Sequence, residues 1–555
     1  MAHSSEMITA GAALAHGLAE MGVTHAFGVI SIHNMPILDA MATQQRIRFV
    51  GARGEAGAMN MADAYARVSR GLGVVITSTG TAAGNAAGAQ VEALSACSRV
   101  LHITSTVDTD LMDRDRAAIH DVPRQADMLK AISKAFFRVN APRELYGKLA
   151  AAVGTALSAP QGPVTLEIPI DVQRALLTPP RILPAPNILT RIPDSALLDH
   201  VAGLVRAARR PMLLLGGGAR AATLQAGALV AMGFGVATST NGRAVVPESD
   251  ARSLGAFNMT PQTRALYATC DLMIMAGTRL RGNETLNNKL ALPRPLVQID
   301  ADAAQAGRNH AVDVFIEGDA VLALQGLVDR LGGRLDVDPG FAYDIAVARA
   351  GGEGDLRSRL GPYQTIADDL LGVVAPGGHA FVRDVTISNS TFGNRYVHIK
   401  APHLGVHAVG GGIGQGIAMA LGAALANPST KTIALMGDGG TMLNLGEWMT
   451  AVEERANIVF ILMNDQAYGV IRNIQDAQYG ARHVYSAPKM PDFGALARSF
   501  GLGHRRISDV AAFRGALDAA LATPGPQVLE VDMNAIGPFA EAFGGPPAGA
   551  AGAKP

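Results

Sequence analysis

The sequence has only two cysteines, Cys97 and Cys270, a single tryptophan, and aromatic residues at 5%. Two thiols form no disulfide framework, and their spacing matches no zinc or redox motif, so a reducing compartment, the cytoplasm, is the expected location. Sparse aromatic rings argue against a stacking surface for single-stranded nucleic acid. Neither sign of charge dominates, with 47 Lys and Arg against 47 Asp and Glu. No basic field is therefore present to hold a polyanion by counterion release, which disfavours nucleic acid as a partner. The start, Met1-Ala-His-Ser-Ser-Glu6, lacks the basic and apolar regions of an export signal. Long apolar runs are absent except for Ala408–Ala426, interrupted only by Gln415. Its glycines crowd at the front, which predicts a Gly-rich turn feeding a buried helix rather than a membrane span.

Glycine and apolar bulk are plentiful instead. The 555 residues include 63 glycines and are 48% hydrophobic and 17% charged. This composition excludes general disorder and suits about three or four packed domains of ~150 residues. Proline clusters interrupt both helix and ladder, so they mark boundaries. Thr178–Asn187 reads as an extended linker, and the stretch from Asp336 to Gly354 as a second. The expected domains are 1–178, 190–335 and 356–540, followed by a loose Gly/Ala/Pro tail, 541–555.

Each segment alternates short β-branched runs with longer helical stretches, predicting an α/β fold of three doubly wound parallel sheets. Strand candidates are Gly73–Ser78 and Arg99–Thr104, then Pro211–Gly216, Leu272–Ala276 and Leu296–Asp300, then Ala380–Arg383, Thr432–Met436 and Ile458–Met463. Ligands in such sheets bind beyond the carboxyl ends of the strands, so chemistry is expected just after these runs.

Met436-Gly-Asp-Gly-Gly-Thr441 directly follows one such strand. Its glycines allow backbone N–H groups to approach an anion, and Asp438 is placed to hold a bridging divalent cation. Met463-Asn-Asp-Gln-Ala-Tyr-Gly469 follows the next strand, with Asn464 and Asp465 lying 26 and 27 residues after Asp438. Two neighbouring strand ends with oxygen ligands suit Mg²⁺ holding a diphosphate; two ordinary polar loops are the alternative.

A strand, Gly-Asp-Gly, that gap and an Asn-containing loop resemble the thiamine diphosphate signature of the acetohydroxyacid synthase, pyruvate decarboxylase and benzoylformate decarboxylase superfamily. Ordered matches extend from about residue 7 to 535. Arg53-Gly-Glu-Ala-Gly-Ala58 with Met61–Arg67 is similar to the family's segment around its activating glutamate. Ser78–Asn85 is similar to its Gly-rich loop, Gly162–Val172 to the close of its first domain, and Gln298–Asp302 with Gly318–Gly326 to its middle domain.

The resemblance implies roles residue by residue. Glu55 would be the carboxylate against the cofactor's aminopyrimidine ring, promoting loss of the thiazolium C2 proton. Ile413 would prop the cofactor into its bent shape. Asp438, Asp465 and the Ala467 carbonyl would hold Mg²⁺, although the family usually has Asn where Asp465 stands; a one-residue shift would give that role to Asn464. Ser78, Gly80, Thr386, Gly412, Gly437, Gly439, Gly440, Tyr468, Gly469 and Val470 would complete the cofactor contacts. On the substrate side, Ile30 and Ser31 replace the family's usual Pro-Gly. His33 falls where benzaldehyde lyase has a catalytic histidine, and His120 where related enzymes carry a glutamine; both would transfer protons. Ser78 replaces the histidine of benzoylformate decarboxylase, which disfavours that specific reaction.

The implied activity is carboligation after decarboxylation of a 2-oxo acid, like acetolactate synthase, with simple decarboxylation or C–C lysis as alternatives. An NAD-type oxidoreductase is the rival from another class, although Gly216-Gly-Gly-Ala-Arg220 lacks a clean dinucleotide fingerprint. Some relatives bind FAD in the middle domain, but this domain is expected to be empty. Arg279 and Arg281 either meet a phosphate or coat a surface. The resemblance also predicts that Glu55 and Asp438 serve one cofactor from different subunits, making a homodimer the minimum and a homotetramer the expectation.

Overall fold

A computed structural model describes residues 7–544. The first part of the chain contains strands β1 (Ile8–Thr9), β2 (His25–Gly28), β3 (Arg48–Gly51), β4 (Gly73–Thr77), β5 (Val100–Thr106), β6 (Ala135–Arg138), β7 (Val164–Pro169) and β8 (Leu176–Leu177). Six of them form a parallel sheet in the order β3-β2-β4-β5-β7-β6, while β1 and β8 pair antiparallel. The middle part contributes β9 (Pro211–Leu215), β10 (Gly235–Thr238), β11 (Leu272–Ala276), β12 (Leu296–Asp300) and β13 (Val314–Glu317), ordered β10-β9-β11-β12-β13. The last part has β14 (Phe381–Arg383), β15 (Gly405–His407), β16 (Thr432–Gly437), β17 (Ile458–Asn464), β18 (Gly503–Ile507) and β19 (Gln527–Asp532), ordered β15-β14-β16-β17-β19-β18. This order repeats that of the first sheet. In both, the chain reverses direction across the sheet between the first and third strands, and that switch point is where a ligand crevice opens.

α-Helices join most successive parallel strands, short 3₁₀ or π turns standing in their place between β11 and β12, β12 and β13, and β14 and β15, and strands such as Val164–Pro169 and Ile458–Asn464 are buried throughout. Burial on both faces explains their continuous apolar character. All eight strand candidates form, with ends differing by at most two residues. The outer domains meet through two helices, Glu55–Ser69 and Gly416–Ala426, whose small residues permit close approach. A Cβ on Gly422 would lie 2.1 Å from the Met61 carbonyl oxygen. The run Ala408–Ala426 is thus a glycine turn followed by a buried helix, and no helix among the described residues is long and apolar enough to cross a membrane.

Residues 178–194 are free of helix and strand, as the first proline cluster predicts. The second expected linker is corrected: Phe341–Leu360 is a continuous helix of 20 residues. Its glycines read as breakers, yet a Cβ on Gly351 would lie 2.8 Å from the Gln262 side chain. Packing on the helix Pro261–Tyr267 requires small residues there and overrides their low helix propensity. At the expected tail, Glu541 pairs with Arg359 at 3.1 Å, and 545–555 lie outside the described residues.

Candidate active site

Strands β16 and β17 run in register with Gly437 opposite Met463, so the residues that follow, Asp438 and Asn464, emerge at one level beside the switch point. Asp438 starts a short helical turn, Asp438–Thr441, and is 1% exposed. Its Oδ2 is buried with no hydrogen-bond partner among the described residues. Burial pushes both the Asp438 and Asp465 carboxyls up, and the neighbouring Asp465 charge raises Asp438 further. Asp465 Oδ1 accepts from the Ala467 N–H at 3.2 Å. Asn464 is committed elsewhere: its Nδ2 donates to Glu530 at 2.8 Å, and its Oδ1 accepts from the Gln466 N–H at 3.1 Å. The glycines make this crowding sterically feasible. A Cβ on Gly439 would lie 2.6 Å from the Tyr468 ring, and one on Gly469 2.0 Å from Asp465 Oδ2. Val470 follows as the second residue of the helix Gly469–Gln478.

Asp384, just beyond β14, organises the other side of the crevice. It is 2% exposed, and its carboxylate accepts from the backbone N–H of Val385 at 2.7 Å, Gly414 at 3.0 Å and Gly416 at 3.2 Å. Burial raises its pKa to about 6 despite these bonds. This fixes the loop Gly411–Gly414, on which Gly412 and Ile413 are exposed, Ile413 at 40%. Thr386 faces Gly437, its Oγ1 3.3 Å from where a Cβ would sit. Asp384 has no role in the sequence reading, although its position directly after a strand was a usable signal.

In the first domain, the candidates lie after four successive strands: His33 after β2, Glu55 after β3, Ser78 and Gly80 after β4, and His120 after β5. Glu55 is the first residue of its helix, and Asn85 Nδ2 donates to it at 3.1 Å. Gly80 has φ +63°, and a Cβ there would lie 2.4 Å from the His120 carbonyl oxygen, so only glycine fits. The Gly80 N–H donates to Gln125 Oε1 at 2.6 Å, and Gln125 in turn donates to Glu167 at 2.8 Å. The His33 and His120 rings meet edge to face with centroids 5.3 Å apart. His33 is 7% exposed, and its Nδ1 has no partner among the described residues. Burial, and then His120, lower its pKa, which favours a neutral ring.

The two half-sites therefore form separately, and among the described residues no hydrogen bond or ion pair links Glu55 to Asp438 or Asp465. Sequence reasoning missed their connection through Glu447. This buried carboxylate from the last domain accepts from the N–H groups of Arg53 at 3.1 Å and Gly54 at 3.2 Å.

A separate cavity of about 900 Å³ lies among the three sheets. Gly217, Gly218, Arg220, Arg279, Arg281 and Asp300 line it from the middle domain, and Arg67 and His407 from the outer two. Arg279 and Arg281 both line this cavity, Arg279 being exposed and Arg281 half-buried.

The donor set fits a divalent cation bridging to a diphosphate: two facing carboxyls, one with an unpartnered buried oxygen, and glycines at a helical turn. Family comparison agrees with this chemistry. The thiamine pyrophosphate enzyme N-terminal TPP binding domain matches residues 8–128, the central domain 198–327, and the C-terminal TPP binding domain 386–531. Over 94% of both chains, the protein is 30% identical to the Pseudomonas aeruginosa protein named "Probable 2-ketoarginine decarboxylase AruI". It is 27% identical to acetolactate synthase 2, chloroplastic, of Nicotiana tabacum, over 93% of this chain and 81% of that one. The acetolactate synthase large subunit of Parasynechococcus marenigrum is 27% identical, over 96% and 88%. With matches to all three domain models in order along three parallel sheets, the chain belongs to the thiamine pyrophosphate (thiamine diphosphate) enzyme family.

Proposed function

We propose that the protein is a thiamine diphosphate- and Mg²⁺-dependent carboligase that decarboxylates a 2-oxo acid and joins the remaining fragment to a second carbonyl compound. The observation that carries the cofactor assignment is the unpartnered Asp438 Oδ2 beside Asp465 at the switch point. Asp438, Asp465 and the Ala467 carbonyl would hold Mg²⁺; the commitment of Asn464 to Glu530 favours Asp465 over its neighbour. Gly437, Gly439, Gly440, Thr386 and the Tyr468–Val470 turn would cradle the diphosphate. Gly412 and Ile413 would support the rings, with Ser78 and Gly80 on the opposing domain. When bound, thiamine diphosphate supplies the electron sink that a 2-oxo acid needs to lose CO₂. Glu55 would hold a proton against the pyrimidine, and His33 and His120 would move protons at the substrate.

The acetolactate synthase relatives support carboligation. A second reading, plain decarboxylation, is favoured by the His33–His120 pair, because two imidazoles can supply the proton that releases an aldehyde. The 30% identical relative named as a decarboxylase points the same way. A panel of 2-oxo acids, including pyruvate and 2-ketoarginine, with and without aldehyde acceptors, separates the two readings by CO₂ release and product mass. Glu55→Gln is expected to lose about 10²-fold or more in turnover; full activity in that variant would overturn the mechanism.

The three domains, 1–178, 190–335 and 356–540, would divide the work, with the outer two forming the site and the middle one supporting it. Exposed apolar residues flank both half-sites, Ile30, Ile32 and Ile119 on one and Leu443, Ile471 and Val484 on the other. They support a homodimer, or a homotetramer built from it, in which Glu55 of one subunit completes the site of another. The middle domain is read as holding no cofactor, with FAD in the arginine-lined cavity as the alternative, and the visible absorbance of the purified protein decides it.

A further inference from the structure

We propose that two buried glutamates exchanged between the outer domains, Glu447 and Glu92, are positioning residues, each of which sets the cofactor-facing loop of the other domain. Glu447 and Glu92 are each 2% exposed. Glu447 lies in the last domain, and its carboxylate accepts from the Arg53 and Gly54 N–H groups, at 3.1 and 3.2 Å, immediately before Glu55. The Thr450 hydroxyl donates to the remaining oxygen at 2.7 Å. Glu92 lies in the first domain, and its two oxygens accept from the Val409 and Gly410 N–H groups, each at 2.6 Å, shortly before Gly412 and Ile413. Arg67 braces this second contact: its Nη2 donates to Glu92 at 3.2 Å and its Nη1 to the His407 carbonyl at 2.7 Å, while Asp63 accepts from its Nε at 2.8 Å.

The two contacts have the same construction. Each carboxylate takes consecutive backbone N–H groups, which fixes the orientation of two peptide planes through charge-assisted bonds. Each also presses against a glycine. A Cβ on Gly57 would lie 2.0 Å from Glu447 Oε1, and one on Gly410 2.6 Å from Glu92 Oε2. The loops differ in what they carry, so the two glutamates have separable effects. Glu447 acts through Glu55 on proton transfer, and Glu92 acts through the Ile413 loop on cofactor affinity. This inference rests on the roles proposed above for Glu55 and Ile413.

The test compares Glu447→Gln and Glu92→Gln in the full-length protein with Mg²⁺, using two readouts. One is the rate of hydrogen–deuterium exchange at the thiazolium C2 of bound thiamine diphosphate at saturation; the other is the calorimetric Kd for thiamine diphosphate. Glu447→Gln is expected to slow exchange about tenfold with Kd within about twofold, and Glu92→Gln to raise Kd about tenfold with saturated exchange nearly unchanged. Gly57→Ala and Gly410→Ala push on the same contacts from the other side and should reproduce the respective defects, which covers a glutamine variant that fails to fold. If all four variants lower the melting temperature but leave both readouts alone, or move both together, the inference is overturned. Glu55→Gln is the separate control. Wild-type exchange in that variant overturns the functional reading itself, whereas slowed exchange there with no effect in the four variants overturns only the positioning roles.

Discussion

His102 lies on β5 with no exposed surface, its Nε2 2.8 Å from the Thr77 hydroxyl and its Nδ1 2.7 Å from Gln90 Oε1. Burial lowers its pKa from 6.5 to about 3, so the folded protein keeps the ring neutral while the unfolded chain protonates it. Its contribution to stability is thus present above pH ~6.5 and is lost as pH falls from there toward ~3, by about 1.4 kcal/mol per pH unit at most. Thermal melts between pH 7 and pH 5 are expected to show a shallower decline for His102→Gln than for the native protein. At the proposed metal site, Asp438→Asn should weaken Mg²⁺ binding on the order of 10–100-fold, and Asp465→Asn, which restores the usual family residue, by less. Calorimetric titration in the presence of thiamine diphosphate checks the order, and unchanged affinity in Asp438→Asn would remove the basis for the metal assignment. Asp438 and Asp465 were legible in the sequence because strand, glycine and spacing coincide within a short window. Glu92 and Glu447 were not, because their partners are backbone N–H groups supplied from 317 and 394 residues away.

Among elements, the pair of helices Glu55–Ser69 and Gly416–Ala426 shows what glycine content does. In Gly416–Ala426, nine of the eleven residues are buried, and small side chains let its axis approach its neighbour's backbone. Gly422→Ala would place a methyl group against the Met61 carbonyl and is expected to destabilise the protein by about 1–3 kcal/mol, read as a lower denaturant midpoint. An unchanged midpoint would mean that the two helices separate without cost. The strands were legible because β-branched and aliphatic runs bounded by glycine have few other readings. The helix Phe341–Leu360 was not, because Gly351, Gly352 and Gly354 look like breakers until it is known that Gly351 and Gly352 face the side chains of Gln262 and Thr260, where small residues are needed.

At the scale of the molecule, the middle domain is fastened to the last one by a buried ion pair. Arg243 donates from Nε to Glu248 at 2.7 Å and from Nη1 to the Gly393 carbonyl at 2.9 Å, and Glu248 accepts from the Ile399 N–H at 2.8 Å. Arg243→Met would leave the Glu248 carboxylate buried without its cation and is expected to cost about 3–5 kcal/mol. A double-mutant cycle with Glu248→Gln should recover part of that loss. If the sites require two subunits, specific activity should fall with dilution in step with the dimer fraction measured by sedimentation, and strict proportionality to protein concentration would argue for a self-sufficient chain.

The sequence by itself determined the three α/β layers and the metal-loop candidates, because hydrophobic period and glycine spacing are local properties of the chain. It also carried the family resemblance, which supplied Glu55 and Ile413. Only the tertiary structure decided that Asn464 is occupied by Glu530, that His33 and His120 meet, and that each outer domain grips the other's loop through a buried glutamate. Those outcomes depend on which distant backbone groups share a dry interior, and there an unpaired carboxylate or N–H costs too much to be left alone.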